Sequence, residues 1–226
     1  MNKLVVLIPM KAPRESKTRL SEVMDEATRE ALSLYLLKHV VRTVKNSSSS
    51  PEIWIVGGDI LVKSLAQEES IVWVDDNKSN LNEGVLLGSV KAFETDASAI
   101  LILPSDLGLL KPSEVDYLVK LSNGLNRLVI AGAKRDGGTN ALLIPKELLI
   151  GPHFGPESFN LHTQSIKTKG FQVTIAKSPG ISFDLDTPED LLYYHSLNSG
   201  LYLDLAALKI KIFRSTGNIP TRSNTK

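Results

Sequence analysis

The chain has 226 residues, enough for one large domain or two small ones with an ordinary hydrophobic core. It has no cysteine, which excludes a cysteine nucleophile, disulfides, a zinc ribbon and an iron–sulfur cluster. Twenty-six Lys and Arg residues stand against 25 Asp and Glu residues, and this near-neutral balance argues against a dedicated surface for nucleic acids or anionic membranes.

Apolar runs in the first half of the chain predict buried strands separated by helices. The first run, residues 4–8, is rich in β-branched residues and ends at Pro9. It is too short for a signal peptide or a membrane helix, so we expect a cytoplasmic protein. Apolar positions from Ala27 to Val44 recur at steps of three and four, which predicts an amphipathic helix. Further strands are predicted at 53–56, 71–74, 99–103 and 128–131, with helices near 61–67, 83–93 and 113–121.

The later part of the chain predicts two more strands and a less regular end. Residues 141–144 and 172–176 are the strand candidates, and we expect one of them to be antiparallel. Strands alternating with helices predict an α/β fold with a mostly parallel sheet covered on both faces. Without a repeat or a linker, we predict one domain over residues 1–200 and a C-terminal extension over residues 201–226. Its polar end, from Ser215, is predicted to be disordered.

Ligands of open α/β sheets bind beyond the carboxyl ends of the strands, so the loops there are the candidates for chemistry. The loop after the first strand carries four cations, Lys11, Arg14, Lys17 and Arg19. Its backbone N–H groups, a helix N-terminus and these charges suit a phosphate. Neither a Walker A nor a Gly-x-Gly-x-x-Gly pattern is present. A solvated basic loop explains the same residues.

Carboxylates follow two later segments. Asp106 lies at the tip of the strand candidate 99–103, where it could meet a hard cation such as Mg²⁺ or serve as a turn residue. Asp184 and Asp186 alternate in an extended segment, so both are predicted to point the same way. Two like charges that are close together favour a metal between them. We interpret the residues that follow, starting at Thr187, as a structural helix start.

Two further segments offer polar groups to a ligand. Two consecutive glycines precede Thr139 and Asn140, where they allow close backbone approach or simply form a hairpin turn. Gly155 and Ser158 could place an N–H group and a hydroxyl at a helix N-terminus, where an anion is favoured, or form an ordinary helix start. His162 lies one helical turn beyond Ser158, which predicts that it faces the same anion.

The remaining signals are weaker or negative. Residues 80–84, Asn-Leu-Asn-Glu-Gly, either cap the next helix or contact a base. The four histidines match no zinc spacing. No Gly-x-Ser-x-Gly motif is present, so a serine hydrolase has no support.

Five motifs occur along the chain in this order: Lys11…Ser16-Lys17-Thr18-Arg19-Leu20-Ser21, Leu103-Pro104-Ser105-Asp106-Leu107, Gly138-Thr139-Asn140-Ala141-Leu142-Leu143, Phe154-Gly155-Pro156-Glu157-Ser158-Phe159 and Asp184-Leu185-Asp186-Thr187-Pro188-Glu189-Asp190-Leu191. Taken together they resemble the 2-phospho-L-lactate and phosphoenolpyruvate guanylyltransferases of deazaflavin coenzyme F-420 biosynthesis. The resemblance reaches about Asn198. Two residues depart from the family: Gly108 stands where Pro is frequent, and Glu157 stands where Gly is common.

The resemblance implies a Rossmann-like three-layer α/β/α nucleotidyltransferase fold and transfer of GMP from GTP to a three-carbon phospho-acid. It implies catalytic roles for Lys17, Arg19 and Asp106, and Mg²⁺ held by Asp106, Asp184 and Asp186. It also implies residues that bind the nucleotide (Lys11, Lys17, Asn82, Gly84 and Ser105) and the acid (Thr139, Asn140, Gly155 and Ser158).

The expected partners are therefore GTP and a small phospho-acid, with no nucleic acid and no membrane, and a homodimer is compatible with the sequence. The acid remains open among 2-phospholactate, phosphoenolpyruvate and 3-phosphoglycerate. Two alternatives share this fold: a nucleotidyltransferase acting on a molybdenum cofactor or a sugar 1-phosphate, and a non-catalytic nucleotide-binding protein.

Overall fold

A seven-stranded sheet forms the middle layer of the computed structural model, which describes residues 2–77 and 80–216. The strands are β1 (Leu4–Met10), β2 (Glu52–Gly57), β3 (Val72–Val74), β4 (Ala99–Ile102), β5 (Leu128–Gly132), β6 (Thr139–Pro145) and β7 (Val173–Ile175). They lie in the order β3-β2-β1-β4-β6-β5-β7. Strand β6 is antiparallel to both neighbours, and the other paired strands are parallel. The predicted sheet, mostly parallel with one antiparallel strand, is confirmed.

Helices cover both faces of the sheet. In the described part of the chain they are α1 (Glu26–Lys45), α2 (Ile60–Glu68), α3 (Leu81–Glu94), α4 (Pro112–Leu121), α5 (Ser158–Thr168), α6 (Pro179–Ser182), α7 (Pro188–Leu197) and α8 (Leu201–Thr216). Side chains of a strand alternate between its faces. Val6 and Ile8 of β1 therefore pack with α1, α2 and α4, whereas Val5 and Leu7 pack with α3 and α5. This is the predicted three-layer α/β/α fold.

Strand β6 begins earlier than its apolar run indicates. Thr139 already pairs with Gly132 of β5, at an irregularity in the register, so Thr139 and Asn140 belong to the strand and are buried. The connecting turn occupies residues 133–138. Because β6 is antiparallel, its first residues lie at the same sheet edge as the carboxyl end of β4. The hairpin thus brings two polar side chains to the edge where the predicted catalytic loops lie.

The segment after residue 200 begins with a helix that the sequence pattern did not predict. Leu201 and Leu205 of α8 are buried in a cluster shared with α1 and α7. The polar end of the chain, predicted to be disordered from Ser215, lies almost entirely beyond Thr216 and so outside the described residues. Among the helices of residues 2–77 and 80–216, none has the length and the apolar character needed to cross a membrane.

Candidate active site

The loop after β1 holds Lys17 at the carboxyl edge of the sheet. The backbone of Lys17 is left-handed (φ 56°), directly before a short 3₁₀ turn. Leu20 anchors this turn because its side chain is fully buried. On the other side of Lys17, Arg29 of α1 donates a hydrogen bond to the carbonyl of Ser16 (3.3 Å). The Lys17 side chain is only 6% exposed, which distinguishes it from a residue of a solvated basic loop.

Lys17 lies between two of the carboxylates that the sequence assigns to a metal. Its Nζ atom is 2.6 Å from Oδ2 of Asp106 and 3.9 Å from Oδ1 of Asp186. Arg19, which is 62% exposed, contacts Oδ2 of Asp186 at 2.6 Å. The second oxygen of Asp106, Oδ1, is buried and has no hydrogen-bond partner in the described part of the chain. Four predicted site residues from three loops thus form one charged cluster.

Asp184 extends this cluster towards β6. Its Oδ1 atom accepts a hydrogen bond from Nδ2 of Asn140 (3.0 Å), and its Oδ2 atom lies 4.0 Å from Nη2 of Arg135. Burial raises the pKa of Asp184; the Asn140 hydrogen bond opposes this rise, and the charge of Asp106 adds to it. The backbone N–H of Leu185 donates to the Asp106 carbonyl (3.1 Å). The two carboxylate loops are therefore tied together through the backbone.

Four carboxylates and three cations make up this cluster. The carboxylates are those of Asp106, Asp184, Asp186 and Asp190, and the cations are Lys17, Arg19 and Arg135. Within residues 2–77 and 80–216, no three acidic or histidine side chains are already arranged around a metal position. The donor set nevertheless fits a hard cation such as Mg²⁺, and the unpartnered Oδ1 of Asp106 is an available ligand atom. A divalent ion would replace the basic side chains as the counter-charge.

The segment that carries Asp184 and Asp186 is fixed at both ends. Before it, the buried carboxylate of Glu114 in α4 accepts a hydrogen bond from the backbone N–H of Gly180 (2.9 Å) in α6. At its end, the Asp190 carboxylate accepts a hydrogen bond from the backbone N–H of Asp186 (3.1 Å). A carboxylate that accepts backbone N–H groups is a strong local restraint. The two metal candidates are thus held on a short strap, residues 180–187, between two fixed points.

Arg135 is a site residue that the sequence did not indicate. Its Nη1 atom donates to Oδ2 of Asp190 (2.6 Å) and to Oγ1 of Thr187 (3.0 Å). Thr187 and Asp190 also form the capping box that begins α7, which confirms the structural interpretation of this helix start. Burial alone would raise the pKa of Asp190. The hydrogen bonds that its carboxylate accepts from Arg135, Asp186 and Thr187 outweigh burial and hold this pKa below its ordinary value. No spacing links the arginine to a partner 55 residues away.

A buried polar network lies beside Asn140, between β6 and α5. The ring of His162 is fully buried, and its Nε2 atom accepts a hydrogen bond from the backbone N–H of His153 (2.9 Å). Burial, with a contribution from His153, lowers the pKa of His162 to about 4, so the ring is neutral and carries its proton on Nδ1. Nδ1 lies 3.0 Å from Oγ1 of Thr139, and its single proton is shared between this oxygen and the backbone of Ser158, whose hydrogen bond opposes the fall of the pKa. The Thr139 hydroxyl proton is then left for another acceptor.

His162 therefore does not face an anion, and that expectation is wrong. Both ring nitrogens are engaged inside the protein, and the side chain has no exposed surface. The spacing of one helical turn from Ser158 places the two residues on one face of α5, as expected. At His162 the face packs into the core, where the ring contacts the Thr139 hydroxyl.

The N-terminus of α5 lies against the turn before β6. The backbone N–H of Phe159 donates to the carbonyl of Gly137 (3.0 Å), and the first helical residue, Ser158, is buried. Glu157 precedes it in the left-handed region (φ 56°), and its side chain makes no capping hydrogen bond. This conformation costs an L-residue about 1–2 kcal/mol, which glycine avoids. The helix start is therefore not an ordinary Ser or Glu cap, and the space beside Gly155 is open.

The segment after β3 is a helix cap, as one of its two interpretations predicts. Asn80 and Glu83 form a capping box at the start of α3, and the N–H of Gly84 bonds to the Asn80 carbonyl (2.9 Å). The Asn82 amide makes two hydrogen bonds to the backbone of Phe154, donating to its carbonyl (3.0 Å) and accepting from its N–H (2.7 Å). Asn82 thus joins α3 to the segment before α5. Nucleotide contacts by Asn82 and Gly84 stay a prediction.

Two other predicted nucleotide-binding residues make no side-chain hydrogen bond within the described residues. Lys11 is exposed directly after β1, and Ser105 is partly exposed directly before Asp106. Both follow neighbouring parallel strands at their carboxyl ends, where ligands of such sheets bind. Their roles also stay predictions.

Comparison with known proteins matches nearly the whole chain. A family model described as "Guanylyl transferase CofC like" matches residues 4–211. A phosphoenolpyruvate guanylyltransferase of Rubrobacter xylanophilus is 32% identical over 185 residues, which cover 82% of this chain and 90% of the relative. A 2-phospho-L-lactate guanylyltransferase of Methanosphaera stadtmanae is 28% identical over 223 residues, which cover 96% of this chain and 95% of the relative.

Solved structures agree on the fold. A proposed nucleotide-diphospho-sugar transferase from Desulfovibrio desulfuricans superposes with a TM-score of 0.72 at 19% identity, covering 93% of this chain and 98% of that one. A 4-diphosphocytidyl-2C-methyl-D-erythritol synthase superposes with a TM-score of 0.60 at 12% identity, covering 88% and 99%. At these identities the likeness establishes the architecture of the molecule.

Proposed function

The chain belongs to the CofC-like guanylyl transferase family, and from this premise we propose that it transfers GMP from GTP to a three-carbon phospho-acid. The acid of the proposal is 2-phospho-L-lactate or phosphoenolpyruvate, and the reaction is a step in the biosynthesis of the deazaflavin coenzyme F-420. The family match over residues 4–211 carries the proposal, since it includes every predicted site residue. The names of the two relatives above support this choice of acid.

The reaction needs alignment and charge neutralisation more than proton transfer. A phosphate oxygen of the acid attacks the α-phosphorus of GTP, the bond from that phosphorus to the bridging oxygen breaks, and pyrophosphate leaves. Because the attacking phosphate is already anionic at neutral pH, no general base is required. What opposes the reaction is repulsion between two anions, which fixed cations and positioning overcome.

Lys17 and Arg19 are suited to the phosphates of the nucleotide. Their side chains pair with Asp106 and Asp186, and phosphate oxygens of the nucleotide would compete with these carboxylates for the two cations. Asp106, Asp184 and Asp186 would then hold Mg²⁺. When bound, this ion neutralises phosphate oxygens and stabilises the charge that develops on the leaving group.

The network around β6 and α5 is suited to the acid. His162 donates to the Thr139 hydroxyl, which leaves that hydroxyl as a donor for an anionic oxygen. Ser158 and the open space at Gly155 lie where α5 begins, and a helix N-terminus favours an anion. Asn140 belongs to the same strand end but donates to Asp184, so it joins the acid side to the metal candidates.

Pyrophosphate release tests the proposal directly. Purified protein is given GTP and Mg²⁺ with 2-phospho-L-lactate, phosphoenolpyruvate or 3-phosphoglycerate in parallel, and the product is identified by mass. We expect release with one of the first two acids and a product heavier than the acid by one GMP residue. Absence of release with all three acids, from protein that binds GTP, would overturn the proposal.

A further inference from the structure

We propose that Arg135 binds the carboxylate of the acceptor acid, a role that rests on the proposed function and extends it to a residue outside the predicted site. The observation behind it is a guanidinium that is anchored at one nitrogen and open at the others. Nη1 is held by Asp190 and Thr187 at 2.6 and 3.0 Å. The side chain is 40% exposed.

The remaining donors of Arg135 are unused. Nη2 lies 4.0 Å from Oδ2 of Asp184, which is beyond hydrogen-bond distance. Within the part of the chain that the structure describes, neither Nη2 nor Nε makes a hydrogen bond. These two nitrogens form one edge of the planar guanidinium, and that edge matches the two oxygens of a carboxylate. Anchoring through Nη1 removes part of the flexibility that would oppose binding.

The acid side of the site requires a cation that its predicted residues do not supply. Both the phosphate and the carboxylate of the acid are negatively charged, whereas Thr139, Ser158 and Gly155 offer only neutral groups. His162 is neutral as well, and its nitrogens are engaged. Of the four cations in the first loop, Lys17 and Arg19 contact Asp106 and Asp186, Arg14 pairs with Glu26, and Lys11 is assigned to the nucleotide.

Arg135 lies on the turn that connects these acid-side elements. Its turn, residues 133–138, leads directly into Thr139, and the Gly137 carbonyl of the same turn accepts the N–H of Phe159 at the start of α5. Oδ2 of Asp184 lies 4.0 Å from Nη2 at this open edge. An acid entering between these elements would meet the charge of Asp184, and Arg135 is positioned to compensate it.

The neighbouring Lys134 provides a matched control. It has the same charge, belongs to the same turn and has an exposed side chain. Its backbone N–H bonds to the Ser182 carbonyl (3.0 Å), which the substitution Lys134→Gln leaves in place. A general loss of positive charge near the site would affect both variants equally, whereas a specific contact affects only Arg135.

The test pairs each variant with an acid and with the same acid converted to its neutral carboxamide. For Arg135→Gln we expect the KM of the acid to rise about 10- to 100-fold, as for loss of a charged hydrogen bond, while the KM of GTP stays within about twofold. The carboxamide, measured as acceptor or as competitive inhibitor, should bind both proteins alike. Arg135→Lys should fall between them, because lysine keeps the charge and lacks the planar edge. Lys134→Gln should match the wild type.

An equal loss for the acid and the carboxamide would assign Arg135 to the α7 cap alone and overturn the proposal, as would an unchanged KM for the acid. Thermal unfolding of each variant separates these results from misfolding. Wild-type turnover in the same assay tests the proposed function separately. If the wild type uses no acid, the proposed function and this inference fall together; if it does, a failure in Arg135→Gln concerns Arg135 only.

Discussion

The two sides of the candidate site differ in charge and in burial. The side formed by the loop after β1 is ionic: Lys17 and Arg19 contact Asp106 and Asp186 at 2.6 Å, and Arg19 is largely exposed. The side formed by β6 and α5 is neutral and buried, with Thr139 connected to His162 and through it to a backbone N–H. In the proposed function, the ionic side binds the nucleotide phosphates by charge, and the neutral side distinguishes one small acid from another by fixed hydrogen-bond geometry.

The largest expected effect comes from removing a carboxylate of the ionic side. Asp106→Asn keeps the shape of the side chain but removes the charge that we propose to bind Mg²⁺ and that pairs with Lys17. We expect turnover to fall by about three orders of magnitude, as for the loss of a group that stabilises transition-state charge. Steady-state pyrophosphate release measures this, with circular dichroism as the control for folding. Turnover equal to that of the wild type would remove Asp106 from the mechanism.

The second prediction separates the two functions of Lys17. In Lys17→Met, turnover should fall by about two orders of magnitude, because a phosphate-binding cation is lost. The partly buried Asp106 also loses its counter-charge, so the protein without metal should melt several degrees lower. Mg²⁺ alone should restore much of this loss, and it should stabilise the wild type much less. A melting curve of the variant that does not respond to Mg²⁺ would contradict the view that Lys17 occupies the place of a metal.

The third prediction addresses the neutral side. Ser158→Ala removes a hydroxyl from the start of α5 with little change in volume. We expect the KM of the acid to rise about tenfold, as for one hydrogen bond to a charged ligand, and the KM of GTP to stay unchanged. Initial rates with each substrate varied in turn distinguish the two constants. A rise confined to GTP would place Ser158 on the nucleotide side.

The stability of the neutral side should depend on pH through His162. The pKa of His162 is about 4 in the folded protein and about 6.5 in an unfolded chain, so the unfolded chain binds more protons between these values. The stability that the neutral ring provides is therefore present above pH 6.5 and is lost as the pH falls towards 4.

Denaturant unfolding at several pH values measures this loss. The free energy of unfolding of the wild type should decrease more steeply over this range than that of His162→Gln. Equal slopes would mean that His162 has the same pKa in the folded and the unfolded protein. Burial would then not be what keeps this ring neutral.

Local patterns in the sequence predict most elements of the fold and the charged residues of the ionic side. Strand β1 and helix α1 are continuous apolar or periodic segments, and their ends were predicted within about two residues. The cap at Asn80 and the box at Thr187 depend on residues three positions apart. The sequence pattern does not predict helix α8, because few of its described residues are buried. Those that are buried pack against α1, and a local pattern does not show this contact.

The neutral side depends on contacts that no local pattern contains. Thr139 and His162 are 23 residues apart, and Asn82 and Phe154 are 72 residues apart. Such pairs are set by the packing of α5 and α3 on the sheet, so a sequence shows the residue types and not the pairing. The direction of His162 was predicted wrongly for the same reason: spacing gives a helix face, and only packing decides where that face points.

The strap between Glu114 and Asp190 has a consequence for how the protein tolerates changes in length. Both attachments use backbone N–H groups, of Gly180 and Asp186, so the number of residues between them is fixed by the distance spanned. Adding or deleting one residue in the strap would turn the Asp186 carboxylate away from Lys17, although no side chain of the site would have been replaced. Because folding already orders this span, little configurational entropy remains to be lost when a ligand arrives. Insertions between relatives should therefore accumulate in other loops, and this interval should keep its length.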